Sequence, residues 1–194
     1  MNELTTLAEK LKVTTAQEHD RMEVLMAKAE VFANKHNYIQ FTLSQFYFQE
    51  IIECLYEYPE VKEIIKDLDQ RGRSTAALND LKDFAIEPEI KNIIETIPKI
   101  SPLEALGWIY VSEGSTLGAA FLFKEAQSKL GLTTEYGARN LAAYSDGRMI
   151  VWRRFKEALN EQNFSEIDKS EVIKGAVDGF NYFGSLLENL KNLH

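Results

Sequence analysis

The sequence predicts a single all-α domain, and three observations carry that expectation. Apolar residues recur at steps of three, four and seven along most of the chain, only four prolines interrupt them, and no alternating segment is long enough to argue for a sheet. The 194 residues suffice for one domain, 1–194, that buries its own core, and they show no internal repeat or low-complexity linker.

Each element has its own signal. Leu4, Leu7, Leu11, Thr15, Met22 and Met26 mark a first helix over about 3–30. Tyr38, Phe41, Phe48, Ile52 and Leu55 share a stripe on a second, over 36–57. Shorter helices are expected over 60–68, 74–84 and 87–97. The third long helix has the clearest ends: Ser101-Pro102-Leu103-Glu104 reads as a capping box with proline at the first helical position, and Gly131 stands where a C-terminal cap belongs. A break with room for a short helix covers 132–147, and two helices over 148–162 and 168–191 close the chain.

Composition excludes several function classes. The net charge is −8 and the pI about 5.0, which argues against sequence-independent nucleic-acid binding. Cys54 is the only cysteine, so covalent haem attachment through paired cysteines and multi-cysteine zinc or iron–sulfur sites are ruled out. The first residues, MNELTTLAEKLK, carry no apolar core of a secretory signal, and no uninterrupted apolar run approaches 20 residues. A cytoplasmic protein without a membrane span is the expectation.

Of three histidines, His194 is terminal and His36 falls in a polar connection. His19 lies within the first helix, one turn from Thr15 and Met22. A lone histidine on an apolar helix face is ordinarily a core residue. Lys12 shifts that balance, because seven helical residues span about 10.5 Å, comparable with the reach from haem iron to a propionate. One face can thus offer an iron ligand and a cation, although Lys12 alone reads as an ordinary solvated charge.

The third long helix breaks local rules. Gly114 and Gly118 lie one turn apart in its interior, each costing about 1 kcal/mol relative to alanine, and Tyr110 precedes them by a turn. Tight helix–helix packing explains such glycines; so does a flat ligand pressed against the backbone. Gln45 and Gln49 fall within the apolar stripe of the second helix, where a buried amide needs backbone or water partners. Structural satisfaction and a water network beside bound oxygen both fit.

Together these segments resemble the haem oxygenases. Thr15-Ala-Gln-Glu-His19-Asp-Arg-Met-Glu23 is similar to that family's proximal-helix pattern, and Leu106 to Phe123 to its distal helix. Tyr136-Gly-Ala-Arg-Asn-Leu141 and Phe180-Asn-Tyr-Phe-Gly184 extend the likeness over nearly the whole chain, closest to the bacterial branch associated with iron acquisition, which includes the Neisseria and Pseudomonas enzymes.

The resemblance implies a helical bundle with haem between the first and third long helices. His19 would ligate iron, with Thr15 and Glu23 flanking it. Gly114 and Gly118 would let the distal helix lie over the porphyrin. Lys12 and Tyr110 match propionate contacts of α-isomer enzymes, while position 27, a candidate for an alternative cation, is Ala27. Gln45, Gln49 and Ser115 would join a distal network, and either Arg153 or Arg154 would add a propionate cation. Ser115 and Gly118-Ala119 replace the aspartate and glycine pair of the mammalian branch, as in the iron-acquisition branch.

The implied reaction opens haem b to biliverdin, releasing CO and ferrous iron. Haem is both substrate and cofactor. O2 is consumed, with electrons from an external donor, an NAD(P)H-dependent reductase or ferredoxin, since no flavin or nicotinamide fingerprint is present. A monomer is the expected state. The rivals are a non-catalytic haem-sequestering or haem-transfer protein on the same fold, and a thiaminase-like enzyme using Cys54, which lacks a supporting constellation.

Overall fold

The computed structural model describes residues 5–89 and 99–194. Among them run α1 (Leu7–Thr14), α2 (Ala16–Lys28), α3 (Lys35–Leu55), α4 (Pro59–Ile64), α5 (Ser74–Asp83), α6 (Pro102–Leu130), α7 (Arg148–Asn160) and α8 (Glu166–Glu188). Short 3₁₀ turns occupy Leu68–Gln70, Arg139–Leu141 and Leu190–Asn192. The helical class expected from the sequence is the observed one, and the described residues contain no strand, only isolated bridges from Thr133 to Tyr136 and Gly137. The expected helix over 87–97 falls almost wholly outside the described residues. No described helix is long and apolar enough to cross a membrane.

The first expected helix is two. Thr15, with φ −97° and ψ 6°, leaves helical geometry between α1 and α2. Its hydroxyl and its amide both donate to the Leu11 carbonyl, at 2.8 and 3.0 Å. Such back-bonding by threonine bends helices, so the Lys12-to-His19 spacing is crossed by a joint. Other boundaries move less. His36 lies in the first turn of α3, exposed, rather than in a connection, because the Asn34 side chain caps that helix by accepting from the Asn37 amide at 2.9 Å. The α8 start precedes expectation by two residues, where Ser165 and Asp168 form a capping box.

The ends of α6 are built as its sequence requires. The Glu104 amide donates to Ser101 Oγ at 3.2 Å, and the Ser101 amide donates to the Glu104 carboxylate at 2.8 Å. Gly131 takes φ +68°, and the following Leu132 amide reaches back to Ala126 O at 3.3 Å, closing the helix.

This helix is the spine. It crosses α8 at backbone distance: a Cβ on Gly107 would come within 2.0 Å of the Val172 carbonyl oxygen, and one on Gly175 within 2.0 Å of the Glu104 carbonyl oxygen. Around the crossing, Leu106, Ile109, Val172 and Ala176 are essentially inaccessible, within a core that also takes Leu11, Phe41, Ile52 and Phe155. Each large aliphatic chain so buried contributes about 1.5–3 kcal/mol.

Gly107→Ala should therefore destabilise the protein by about 1–3 kcal/mol or more through overpacking. Chemical denaturation would register the loss as a lowered midpoint; an unchanged midpoint would contradict the crossing.

Candidate active site

A cleft of about 1880 Å³ opens between α1–α2 on one side and the middle of α6 on the other. Phe48 of α3 and Phe180 and Phe183 of α8 supply apolar wall, and α7 closes one end with Trp152, Arg153, Lys156 and Asn160. That end is fastened to α1 by the Ala8 amide, which donates to Asn160 Oδ1 at 3.0 Å.

Ten of the twelve residues singled out in the sequence line this space: Lys12, Thr15, His19, Glu23, Gln45, Tyr110, Gly114, Ser115, Gly118 and Arg153. The other two do not. Gln49 is buried behind α6, its amide donating to Ser112 Oγ at 2.9 Å, and its Oε1 has no partner among the described residues. Arg154 turns away to Asp67 at 2.8 Å and Asp146 at 3.0 Å. Successive helical residues point about 100° apart, so α7 can send only one of Arg153 and Arg154 to the cleft. It sends Arg153, whose nearest carboxylate is Glu157 at 3.8 Å.

His19 presents its imidazole openly, with the side chain 66% exposed and Nδ1 3.7 Å from the Glu23 carboxylate one turn on. Across the cleft the glycines divide their work. A Cβ on Gly118 would meet nothing within 4 Å, whereas one on Gly114 would touch the Trp152 ring at 3.6 Å. The backbone-to-backbone helix packing falls to Gly107 and Gly175 instead, while Gly118 borders the open cleft. Ser115 Oγ donates to the Ser112 carbonyl at 2.6 Å, which keeps it on its own helix.

The Tyr110 ring lies 5.2 Å from that of Trp152. Burial pushes its phenol above the ordinary value, and the hydrogen-bonding Thr15 hydroxyl opposes that shift. Tyr110 therefore remains a neutral hydrogen-bond donor at physiological pH. Thr15 thus bends the first wall and touches the second.

Several wall residues had no local signal. Arg73 is buried, donates to the Asn140 carbonyl, and lies over the Tyr144 ring at 5.7 Å. Asn140 Nδ2 donates to Gln45 Oε1 at 3.4 Å. The 137–141 segment is held from below: buried Asp80 accepts the Arg139 and Asn140 amides at 2.9 and 2.8 Å, and Tyr38 donates to the Gly137 carbonyl at 2.8 Å. Behind α6, Arg71 grips Glu113 at 2.6 Å and Asp67 at 2.7 Å, with Tyr144 donating to Glu113 at 3.2 Å. Burial pushes the Glu113 carboxyl up while Arg71 opposes the shift.

A family model described as heme oxygenase matches residues 5–189. This chain belongs to the haem oxygenase family. It is 39% identical over 182 residues to Heme oxygenase PigA of Pseudomonas aeruginosa, an alignment covering 93% of this chain and 91% of the relative. The NO- and CO-bound haem oxygenase of Neisseria meningitidis is similar at a TM-score of 0.86 and 36% identity, over 97% of this chain and 94% of that one. Haem oxygenase-1 of the cyanobacterium Synechocystis, solved in complex with heme, shares the fold at 16% identity, with a TM-score of 0.78 over 96% and 93% of the two chains.

The enzyme is thus a haem oxygenase, and the thiaminase-like alternative falls. Cys54 is exposed on α3 outside the cleft, and partial burial with Glu50, Glu53 and Glu57 pushes its thiol up, away from nucleophilic use.

Gly118→Ala gives a discriminating test of the glycine face. With open space for the methyl, the haem-free protein should gain up to about 1 kcal/mol from helix propensity. Hemin affinity, followed by Soret titration, should fall; undiminished affinity would show that the bare backbone is not needed.

Proposed function

We propose that this haem oxygenase opens haem b to the α isomer of biliverdin, releasing CO and ferrous iron, with His19 as the iron ligand. One observation carries the reading: His19, the open face of Gly118 and the Lys12–Tyr110 pair converge on one cleft, although they come from helices on opposite sides of it.

The cleft suits a flat ring with apolar faces and an anionic edge. Phe48, Met22 and Phe180 give apolar contact, and the Gly118 backbone leaves room that a side chain would fill. The cations at the α1–α7 end, Lys12, Arg153 and Lys156, suit two carboxylates. When bound, haem supplies the redox chemistry that consumes O2 and electrons from an external donor, a reductase or ferredoxin.

The chain's own residues bind and orient. Glu23 beside Nδ1 favours the tautomer that leaves Nε2 free for iron. Lys12 and Tyr110 grip the propionate edge and so select which meso carbon faces the reacting space, with Arg153 as a further cation. Gly114, Ser115 and Gly118 bring main chain rather than a carboxylate over the ring, and Gln45 borders the same space. Gln49 acts from behind α6, through Ser112. Iron acquisition as the physiological output follows the resemblance to the bacterial branch, and the single unpaired thiol suits a cytoplasmic setting.

Two experiments test this reading. Lys12→Ala combined with Tyr110→Phe should turn a single bilin isomer into a mixture on chromatography, and an unchanged single isomer would remove the anchoring role. His19→Ala should shift the Soret band of the hemin complex and abolish most turnover; a variant with the wild-type band and full turnover would exclude His19 as the ligand.

A further inference from the structure

We propose that Arg148 is a positioning residue for the distal wall. Its guanidinium clips the main chain of α6 to the main chain of the 139–141 turn, setting how the Gly114–Gly118 stretch stands over the cleft. The inference rests on the reading of that stretch as the surface facing haem.

The α6 segment needs an outside hold. Ser115 Oγ donates to the Ser112 carbonyl at 2.6 Å and Thr116 Oγ1 to the Glu113 carbonyl at 2.7 Å, two consecutive back-bonds of the kind that bend helices. Interior glycines flank them at 114 and 118, which weakens the turn further. Left alone, this stretch has several accessible curvatures.

Arg148 removes that freedom. Its Nη1 donates to the Thr116 carbonyl at 2.8 Å and its Nη2 to the Leu141 carbonyl at 2.6 Å. Thr116 is buried midway between the two glycines, and Leu141 lines the cleft. Among the described residues no carboxylate pairs with this guanidinium, so its fork is spent on two backbone oxygens. The neighbouring Arg71–Glu113 pair holds α6 by a side chain, whereas Arg148 acts on a main-chain carbonyl of the glycine-flanked turn itself. A planar fork suits two carbonyls at once; a lysine ammonium is a single point on a flexible stem.

The placement of Arg148 is itself constrained. Gly147 before it adopts φ 88° and ψ 144°, a conformation that side chains resist. Its amide donates to the Tyr144 carbonyl at 2.9 Å, closing the turn from which α7 starts.

Hydrogen–deuterium exchange on the haem-free protein tests the clip directly. Arg148→Ala should speed exchange of the amides over 114–120 about tenfold or more, with α8 unchanged, and Arg148→Lys should fail to restore protection. In the hemin complexes the same variants should bind hemin yet yield a broader spread of bilin isomers. Unchanged exchange in Arg148→Ala, or full protection in Arg148→Lys, overturns the proposal. Should the alanine protein lose its helical circular dichroism, the lysine variant decides; if neither folds, Arg148 is a global support and the proposal fails. Failure of the unaltered protein to bind hemin would instead sink the haem reading and leave the exchange result standing.

Discussion

Everything in this molecule is referred to the crossing of α6 and α8, where Gly107 and Gly175 let the two backbones touch. No side chain separates the helices there, so their relative position is set by covalent geometry rather than by adaptable packing. The cleft takes its walls from both partners: α6 carries Tyr110 and the glycine face, and α8 carries Phe180 and Phe183. A methyl group at the crossing would reach the cleft as a displaced wall.

The far side of α6 is held by charge. Arg71, Glu113 and Asp67 place ionic groups where they are largely or wholly removed from water, an arrangement whose desolvation cost rivals its attraction. Hydrophobic replacements would pack α6 as firmly. The polar set instead fixes register, because each partner accepts few geometries. Asp80 does the same for the 137–141 segment through two amides. The cleft is therefore bordered by one wall set by contact and others set by hydrogen-bond direction.

Much of this was legible from residue order. The Ser101 box and Gly131 mark both ends of α6 because caps are local chemistry. His19, Lys12, Tyr110 and Gly118 stood out through helical spacing, which predicts shared faces; the roles expected of them came from the resemblance to haem oxygenases, and all four line the cleft. The misses have one cause in common. Arg73 and Trp152 belong to the cleft only once distant elements have met, and nothing near them in sequence announces it. The Thr15 joint escaped because threonine is tolerated in helices, and what bends the chain is its hydrogen bond to Leu11. Arg153 and Arg154 differ by a single residue, so choosing between them needs the phase of α7 about its own axis.

The joint at Thr15 leaves the histidine-bearing wall in two pieces with separate moorings. The α1 piece is tied to α7 through Ala8 and Asn160 and to α8 through Lys10 and Glu166, 2.7 Å apart. The α2 piece, which carries His19, leans on α8 through Arg21, which reaches Asn181 at 3.0 Å and packs against the bare backbone of Gly184. The two halves of this helical run are thus anchored independently, so a substitution that cuts the moorings of α2 at Arg21 leaves Lys12 on α1 held by its own.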